Sequence, residues 1–178
     1  MAQAYAENVP MLMIPAGMPL SRQYTRPVFR AAEVYRPVTK WSALAHSVQE
    51  LPDLMRRAYQ AMRSGKGGPV MVEIPDEVFE AEFTGELDYA PVPVQRAAPD
   101  PDAVRKAVQM LLAAKNPLII TGMLGKDPRD AEALARLVGK WAIPVVPYNT
   151  RYFAIGANHP MFMGSAPGPL LGEADLII

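Results

Sequence analysis

Apolar residues in the first half of the chain occur in short continuous runs and at helical spacing. Val9–Ile14 and Val70–Ile74 are continuous apolar runs, apart from Pro10 and Glu73, and such runs are typical of strands covered on both faces. Between them, five large apolar residues recur at helical spacing: Leu51, Leu54, Met55, Tyr59 and Met62. The pattern therefore predicts strand, helix and buried strand, which is the rhythm of an α/β domain.

Polar signals set the boundaries of this helix. Glu50 follows Ser47 by three residues, the spacing of a capping box, so the helix is predicted to begin at Ser47. Gly65 and the Gly67–Gly68 pair are predicted to end it. Weaker patterns predict three further pieces, namely the end of a helix at residues 2–8, a short helix at 29–35 and a short extended segment at 38–41.

Residues 83–101 lose all periodicity. Prolines stand at positions 91, 93, 99 and 101, which is typical of a semi-rigid linker between domains. We therefore predict a first domain at 1–82, a linker at 83–101 and a second domain at 102–178.

The second half repeats the α/β rhythm. Asp100 or Asp102 is predicted to cap a helix that has Pro101 in its first turn. The inward faces of this helix and of a second one at 129–141 are predicted from apolar spacing: Val104, Val108, Leu111 and Leu112 in the first, and Ala133, Leu134, Leu137 and Val138 in the second. Strands are predicted at 118–120, 143–146 and 173–178. The fold class expected is α/β, with two incomplete three-layer domains and mainly parallel sheets.

Both ends of the chain are abrupt. The apolar run Leu176–Ile178 has no following turn or polar tail, and a buried strand left there would expose an unpaired edge. We therefore expect the sequence to be part of a longer protein.

Composition excludes several classes of function. Lys and Arg number 18 against 18 Asp and Glu, so no basic surface for nucleic acid is expected. The absence of cysteine and the presence of only 2 histidines argue against disulfides and zinc sites and favour a cytoplasmic protein. Prolines interrupt the apolar N-terminal run, so neither a signal peptide nor a membrane span is predicted.

Three acids near the end of the second predicted strand are candidates for acid–base chemistry. Glu73 lies inside that strand, and Asp76 and Glu77 follow Pro75. Paired carboxylates suit proton transfer. The favoured interpretation is structural, with Asp76 and Glu77 capping the next short segment and Glu73 at a polar edge.

Other polar groups leave alternatives open. The turn Gly122–Gly125 follows a strand, where backbone N–H groups suit a phosphate, but a plain tight turn explains it equally well. His159 either contacts a ligand or is solvated. Four arginines with aromatic neighbours either bind an anion or form a surface cluster: Arg22, Arg26, Arg30 and Arg36.

The stretch RPVTKWSALAHSVQELPDLMRRAYQAMRSGKGGPVMVEIPDEV, residues 36–78, resembles the end of the pyrimidine-binding domain of thiamine-diphosphate-dependent enzymes. The closest likeness is to acetolactate synthase large subunits. AQAYAENVPMLMIPAG, residues 2–17, resembles the helix and strand that precede it. AAKNPLIITGMLG, which begins at Ala113, and the later stretches as far as EADLII at residues 173–178 resemble the central domain of that family, cut before its end. The resemblance thus covers nearly the whole chain.

This resemblance implies an enzyme that uses thiamine diphosphate and Mg²⁺. It would decarboxylate a 2-oxo acid such as pyruvate and transfer the two-carbon unit to a second carbonyl, as in branched-chain amino acid biosynthesis. It implies a homodimer or homotetramer. It places the cofactor-activating glutamate before Met1 and the metal-binding motif after Ile178, so no catalytic residue and no metal ligand is expected within the chain, which is expected to be inactive alone.

The resemblance assigns a few site residues. Phe29 and Arg30 would line the substrate channel, where Arg30 replaces the usual glutamine and keeps a 2-oxo-acid decarboxylase or another lyase open as alternatives. Arg36 matches an arginine that contacts FAD in flavin-containing members, and Gly122 and Gly125 lie where the flavin meets the central domain. Met123 and Leu124 add bulk to that turn, which argues against FAD. A non-catalytic nucleotide-binding module is the alternative from another class.

Overall fold

The chain divides into two compact units. A computed structural model describes residues 1–93 and 97–178, and the units are Met1–Ala98 and Pro99–Ile178. Residues 94–96 of the predicted linker lie outside the described residues.

The first unit contains a parallel sheet. Its strands are β1 (Met11–Met13), β2 (Ala16–Gly17), β3 (Trp41–Leu44) and β4 (Pro69–Pro75), and its helices are α1 (Ala2–Ala6), α2 (Ala31–Val34), α3 (Leu51–Arg63) and α4 (Asp76–Phe79).

Strand β4 is the middle of this sheet and is buried along its whole length. β1 and β2 pair with it in one continuous register, Met11 opposite Pro69 and Ala16 opposite Ile74, so they form one edge strand interrupted at Pro15. β3 pairs with the same β4 residues as β1 does and must therefore lie on the other side. All pairings are parallel.

Helix α3 covers this sheet. The backbone N–H of Ser47 donates to the Glu50 carboxylate at 2.9 Å, which confirms the predicted capping box. One 3₁₀ turn, Val48–Glu50, precedes the α-helix. Leu51, Leu54, Met55 and Met62 pack around buried residues of the sheet, as predicted. Tyr59 was assigned to this face but is exposed, and Ala58 holds the buried central position instead.

Two further expectations for the first unit are wrong. The first apolar run is not covered on both faces, because Met13 and Ile14 are exposed. The extended segment predicted at 38–41 begins only at Trp41, since Arg36–Val38 forms a 3₁₀ turn. A short apolar run does not determine the register of a strand or which of its faces are buried, because both depend on the neighbouring strands.

The described start of the predicted linker packs on α3. The Arg56 guanidinium donates to the carbonyl oxygen of Asp88 at 2.9 Å and lies 5.6 Å from the centroid of the Tyr89 ring. This part of the chain therefore packs within the first unit.

The second unit is a three-stranded parallel sheet with helices. Its strands are β5 (Pro117–Thr121), β6 (Val145–Pro147) and β7 (Leu176–Ile177), and its helices are α5 (Pro101–Ala113), α6 (Pro128–Trp141) and α7 (Gly168–Glu173). β5 lies between β6 and β7. Its core joins β5, β6 and α6 around Ile119, Val145 and Val138.

The structure settles and corrects several predictions here. Asp100 is the helix cap, since its carboxylate accepts from the backbone N–H of Asp102 at 2.9 Å. Five residues predicted to face inward on α5 or α6 are instead exposed: Val104, Val108, Leu112, Ala133 and Leu137. Leu111, Leu134 and Val138 do contact the core.

The expected α/β class with parallel sheets is confirmed, because every strand pairing is parallel in both units. Within the described residues, no helix combines the length and apolarity that crossing a bilayer demands.

Candidate functional site in the first unit

A cavity of about 480 Å³ lies toward the carboxyl ends of β3 and β4. Parallel α/β sheets bind ligands at this edge. Its titratable or charged lining residues come from three separate segments of the chain: Tyr24, Arg30, Glu33 and Arg36 from the first, His46 from the second and Glu73 from the third. The sheet thus brings together groups that lie far apart in the sequence.

Glu73 is the buried acid of this cavity. Only 2% of the residue is exposed, and its Oε2 accepts from the backbone N–H of Ala32 at 2.7 Å. The Ser42 hydroxyl donates to the carbonyl oxygen of Ala32 at 2.8 Å. Side chains from β4 and β3 thus hold both backbone polar groups of one α2 residue. The expectation that Glu73 lies at a polar edge is wrong, because β4 is the central strand.

Gly17 makes room for this acid. A Cβ atom at Gly17 would lie 2.9 Å from Cγ of Glu73, closer than van der Waals contact allows. Position 17, shortly after the first apolar run, is therefore a glycine because a buried side chain from the neighbouring strand occupies that space.

The other two acids hold a different part of the chain. Asp76 and Glu77 lie in the first turn of α4, as predicted, but neither caps it by a side-chain hydrogen bond. The Glu77 carboxylate instead accepts from the backbone N–H of Leu20 at 2.7 Å. Glu73 and Glu77 together fix the segment 18–36 against the end of β4.

Arg30 is fully engaged inside that segment. Its guanidinium donates to the carbonyl oxygen of Gln23 at 2.8 and 3.1 Å and forms an ion pair with Glu33 at 3.1 Å. It also lies 4.6 Å from the centroid of the Tyr24 ring. Arg30 therefore organises the loop before α2.

The remaining candidates of the first unit differ in position. Arg36 lines the cavity with Arg30, whereas Arg22 and Arg26 are not among its lining residues. Phe29 is 57% exposed and packs edge-on against Tyr35, with ring centroids 6.3 Å apart. Of the four clustered arginines, the structure brings two to one cavity.

The second unit contains the predicted turn after β5. A Cβ atom at Gly125 would lie 2.1 Å from the carbonyl oxygen of Phe153, whereas one at Gly122 would meet nothing within 4 Å. Gly125 is thus required by packing and Gly122 is not. Met123 and Leu124 are exposed at this turn. Beside it, the Thr121 hydroxyl is buried without a hydrogen-bond partner in the described part of the chain.

His159 has a local structural role. Its Nδ1 accepts from the backbone N–H of Met161 at 3.1 Å, which supports the loop after β6. No group of three or more His, Asp or Glu side chains suited to a metal ion occurs in residues 1–93 or 97–178.

Four polar residues of the cavity were not identified from the sequence: Gln23, Glu33, Ser42 and His46. Ser42 contacts its partner Ala32 across 10 residues, and Glu73 contacts the same residue across 41. No short-range pattern marks such pairs. The only indication of Gln23 in the sequence is its position in a stretch that contains arginines and aromatic residues.

Comparison with known proteins gives consistent matches. Residues 104–178 match the family described as thiamine pyrophosphate enzyme, central domain. Glyoxylate carboligase of Escherichia coli O157:H7 is 31% identical over 166 residues, which are 90% of this chain and 28% of that protein. Acetolactate synthase isozyme 1 large subunit of Escherichia coli strain K12 is 30% identical over 193 residues, which are 99% of this chain and 33% of that protein.

A solved structure matches across both units. Benzoylformate decarboxylase from Polynucleobacter necessarius has a TM-score of 0.79 and 25% identity, with 99% of this chain and 35% of that chain covered. The chain thus spans about a third of the length of the proteins that it matches.

Proposed function

Since the chain belongs to the thiamine-diphosphate-dependent enzyme family, with acetolactate synthases among its relatives, we propose that it serves in a carboligase. This enzyme decarboxylates a 2-oxo acid and joins the remaining carbon unit to a second carbonyl compound. Thiamine diphosphate supplies the carbanion-stabilising chemistry when it is bound. The protein positions the substrates.

The observation that carries this proposal is the match to two carboligating enzymes over nearly the whole chain. The matches to a glyoxylate carboligase and an acetolactate synthase cover 90% and 99% of it, at 31% and 30% identity. The first of these names describes a carbon-joining reaction, which supports this reaction type.

Within the first unit, the cavity at the carboxyl ends of β3 and β4 is the part that we assign to the substrate. Arg36 lines it, and Arg30 shapes it through its bonds to Gln23 and Glu33. Phe29, exposed beside Tyr35, is assigned to the entrance. These roles are positional, and no proton transfer is assigned to them.

The described residues provide a cavity that we assign to the substrate, but we assign neither the implied metal nor FAD to them. The described residues contain no set of three potential metal-binding side chains, so Mg²⁺ and the diphosphate are not assigned to them and no reaction step is derived through that group. For FAD, the exposed Met123 and Leu124 occupy the turn between Gly122 and Gly125. We therefore propose that FAD is not held there.

A 2-oxo-acid decarboxylase is the second candidate. The likeness to benzoylformate decarboxylase, with a TM-score of 0.79, supports it. So does Arg30, where a glutamine is expected from the resemblance to acetolactate synthases. As further parts of the proposal, we place the enzyme in the cytoplasm as a homodimer or homotetramer, with a role in branched-chain amino acid biosynthesis.

The test uses the native protein captured from its source cells with an antibody against residues 36–78. The captured protein is assayed with thiamine diphosphate, Mg²⁺ and pyruvate or glyoxylate, and CO₂ and carbon products are measured. We expect CO₂ release together with a coupled 2-hydroxy-3-oxo acid, both dependent on thiamine diphosphate. Release of CO₂ with free aldehyde alone would favour the decarboxylase.

Two outcomes would overturn the whole proposal. One is the absence of thiamine-diphosphate-dependent turnover with pyruvate, glyoxylate and benzoylformate in protein that retains its fold. The other is saturable binding of ADP or FAD without any response to thiamine diphosphate, which would favour the nucleotide-binding module. The size of the captured polypeptide is measured by gel electrophoresis of the same sample.

A further inference from the structure

We propose that Glu73 and Ser42 are positioning residues for the substrate. Together they hold Ala32 of α2 against the sheet, and α2 in turn sets the position of Phe29 and Arg30, which directly precede it. The effect on the substrate rests on the proposed function, because it uses the assignment of the cavity to the substrate. The hydrogen bonds that hold Ala32 do not depend on that assignment.

The segment 18–36 has no backbone attachment to the sheet among the described residues. Its backbone–backbone hydrogen bonds join residues close together in the sequence, such as Val34 and Arg30 at 2.9 Å. Helix α2 has only four residues, and a helix this short is not stable without tertiary contacts. Side-chain contacts therefore decide where this segment lies.

Three hydrogen bonds from side chains of β3, β4 and α4 hold the segment. The Glu73 carboxylate accepts from the backbone N–H of Ala32 at 2.7 Å, and the Ser42 hydroxyl donates to the carbonyl oxygen of Ala32 at 2.8 Å. The Glu77 carboxylate accepts from the backbone N–H of Leu20 at 2.7 Å. Two of the three bonds converge on Ala32, which is 5% exposed, so this residue is the fixed point of α2.

The core by itself gives no reason for an acid at position 73. Met71, two residues earlier on the same face of β4, is apolar and fully buried. An apolar side chain at position 73 would avoid the loss of hydration that a buried carboxylate suffers. A carboxylate accepts more strongly from an N–H group than a neutral acceptor does. The bond to Ala32 therefore explains the acid better than packing does.

The position of α2 determines much of the cavity wall. Arg30 directly precedes this helix, Arg36 follows its end by two residues, and both line the cavity together with Glu33 of α2. Arg30 also holds the earlier part of the segment through its bonds to the carbonyl oxygen of Gln23. Because small displacements of substrate-positioning residues have large effects, loosening Ala32 should weaken substrate binding.

Steady-state kinetics with glyoxylate and pyruvate test this role in the enzyme purified from its source cells, with each substitution introduced into its gene. Glu73→Met keeps the length of the side chain but removes the acceptor, and it should raise KM by about tenfold with little change in kcat. Glu73→Gln retains an acceptor oxygen and should keep KM within about threefold of the parent, with the same dependence of kcat on pH. Ser42→Ala removes the second bond and should also raise KM.

Hydrogen–deuterium exchange of the purified chain, followed by mass spectrometry, tests the bonds without the cofactor. Glu73→Met and Ser42→Ala should speed exchange in peptides from residues 18–36, whereas Glu73→Gln should not, because only the first two loosen Ala32. Peptides from α3 should exchange as in the parent, which reports that the sheet stays folded. Glu80→Met, at an exposed acid directly after α4, is the matched control and should change neither exchange nor KM.

Unchanged KM in both Glu73→Met and Ser42→Ala would overturn the proposal, whatever the exchange shows. If Glu73→Met unfolds α3 as well, Ser42→Ala, which removes only a hydroxyl, decides between the outcomes. A loss of kcat in Glu73→Gln equal to that in Glu73→Met would also overturn it, because the charge would then be required. Faster exchange in the variants of a parent without thiamine-diphosphate-dependent turnover would support the bonds and reject the proposed function, so the two failures are distinguishable.

Discussion

Single residues show how packing decides chemistry that sequence leaves open. Glu73 interrupts an apolar run, and the run alone does not tell whether it points to solvent or inward. The structure places it on the central strand, 2% exposed, with Gly17 beside it and Ala32 as its partner. Two glycines of one turn likewise differ, because only Gly125 faces a backbone carbonyl.

This difference predicts unequal effects of alanine at the two glycines. Gly125→Ala should lower the free energy of unfolding by about 3 kcal/mol or more, since its Cβ would overlap the Phe153 carbonyl oxygen and the backbone must shift. Gly122→Ala, where a Cβ meets open space, should change it by less than about 0.5 kcal/mol.

Urea unfolding followed by circular dichroism measures both variants against the parent. Equal stability of the two variants would contradict the packing of this turn.

Nearby side chains determine where several helices begin, whereas residues distant in the sequence determine other boundaries and the faces that are buried. The capping box of α3 was predicted from the sequence, and Asp100 was one of two candidate caps of α5, because residues nearby in the chain satisfy the free N–H groups. The start of β5 depends on a distant residue. Asp175, just before β7, accepts from the backbone N–H groups of Lys115 and Asn116 at 2.8 and 2.9 Å.

These hydrogen bonds make the stability of the second unit depend on pH. The N–H groups of Lys115 and Asn116 favour the charged carboxylate and lower the pKa of Asp175 from its ordinary value of 3.8. A carboxyl whose pKa is lowered by folding stabilises the fold above its unfolded pKa, and this contribution disappears as pH falls through the lowered folded pKa.

We therefore expect Asp175→Asn to lower the melting temperature by several degrees at pH 7 and to differ little from the parent well below pH 3.8. Thermal unfolding by circular dichroism at several pH values tests this. Glu173→Gln, an exposed neighbour on α7, is the control and should melt as the parent does at pH 7. A pH-independent difference for Asp175→Asn would contradict the assignment.

At the scale of the whole molecule, the balance of charge and the exposed apolar surface determine behaviour in solution. The formal net charge is zero, so charge repulsion does little to keep molecules apart. The outer face of α5 carries Val104, Val108 and Leu112 with exposures of 44%, 47% and 59%. Three such residues at helical spacing form a contiguous apolar stripe.

We expect the purified chain to self-associate through this stripe in a concentration-dependent way. Val104→Lys, Val108→Glu and Leu112→Lys combined should shift the molecule toward the monomer, because the stripe becomes polar while α5 keeps good helix formers. Sedimentation velocity over a range of concentrations measures the effect. A triple substitution to Lys, Glu and Lys at Arg105, Gln109 and Ala113 would serve as the matched control.

Monomeric sedimentation of the unaltered chain with a sharp cooperative melt would contradict this prediction. Unchanged association in the triple variant would contradict a role for this stripe and would indicate that other exposed apolar residues mediate association, such as Tyr59 and Leu87 in the first unit.

The sequence by itself determined the α/β class, the capping box of α3, the presence of the buried strand β4 and the family, because each depends on short-range spacing or on motifs that are contiguous in the chain. The tertiary structure alone decided the inward position of Glu73, the partners of Arg30 and Glu77, and the exposed faces of α5 and α6. Those features depend on contacts across tens of residues, such as the 57 between Leu20 and Glu77. Parallel strands bring such residues together through connections whose sequence does not encode the contact.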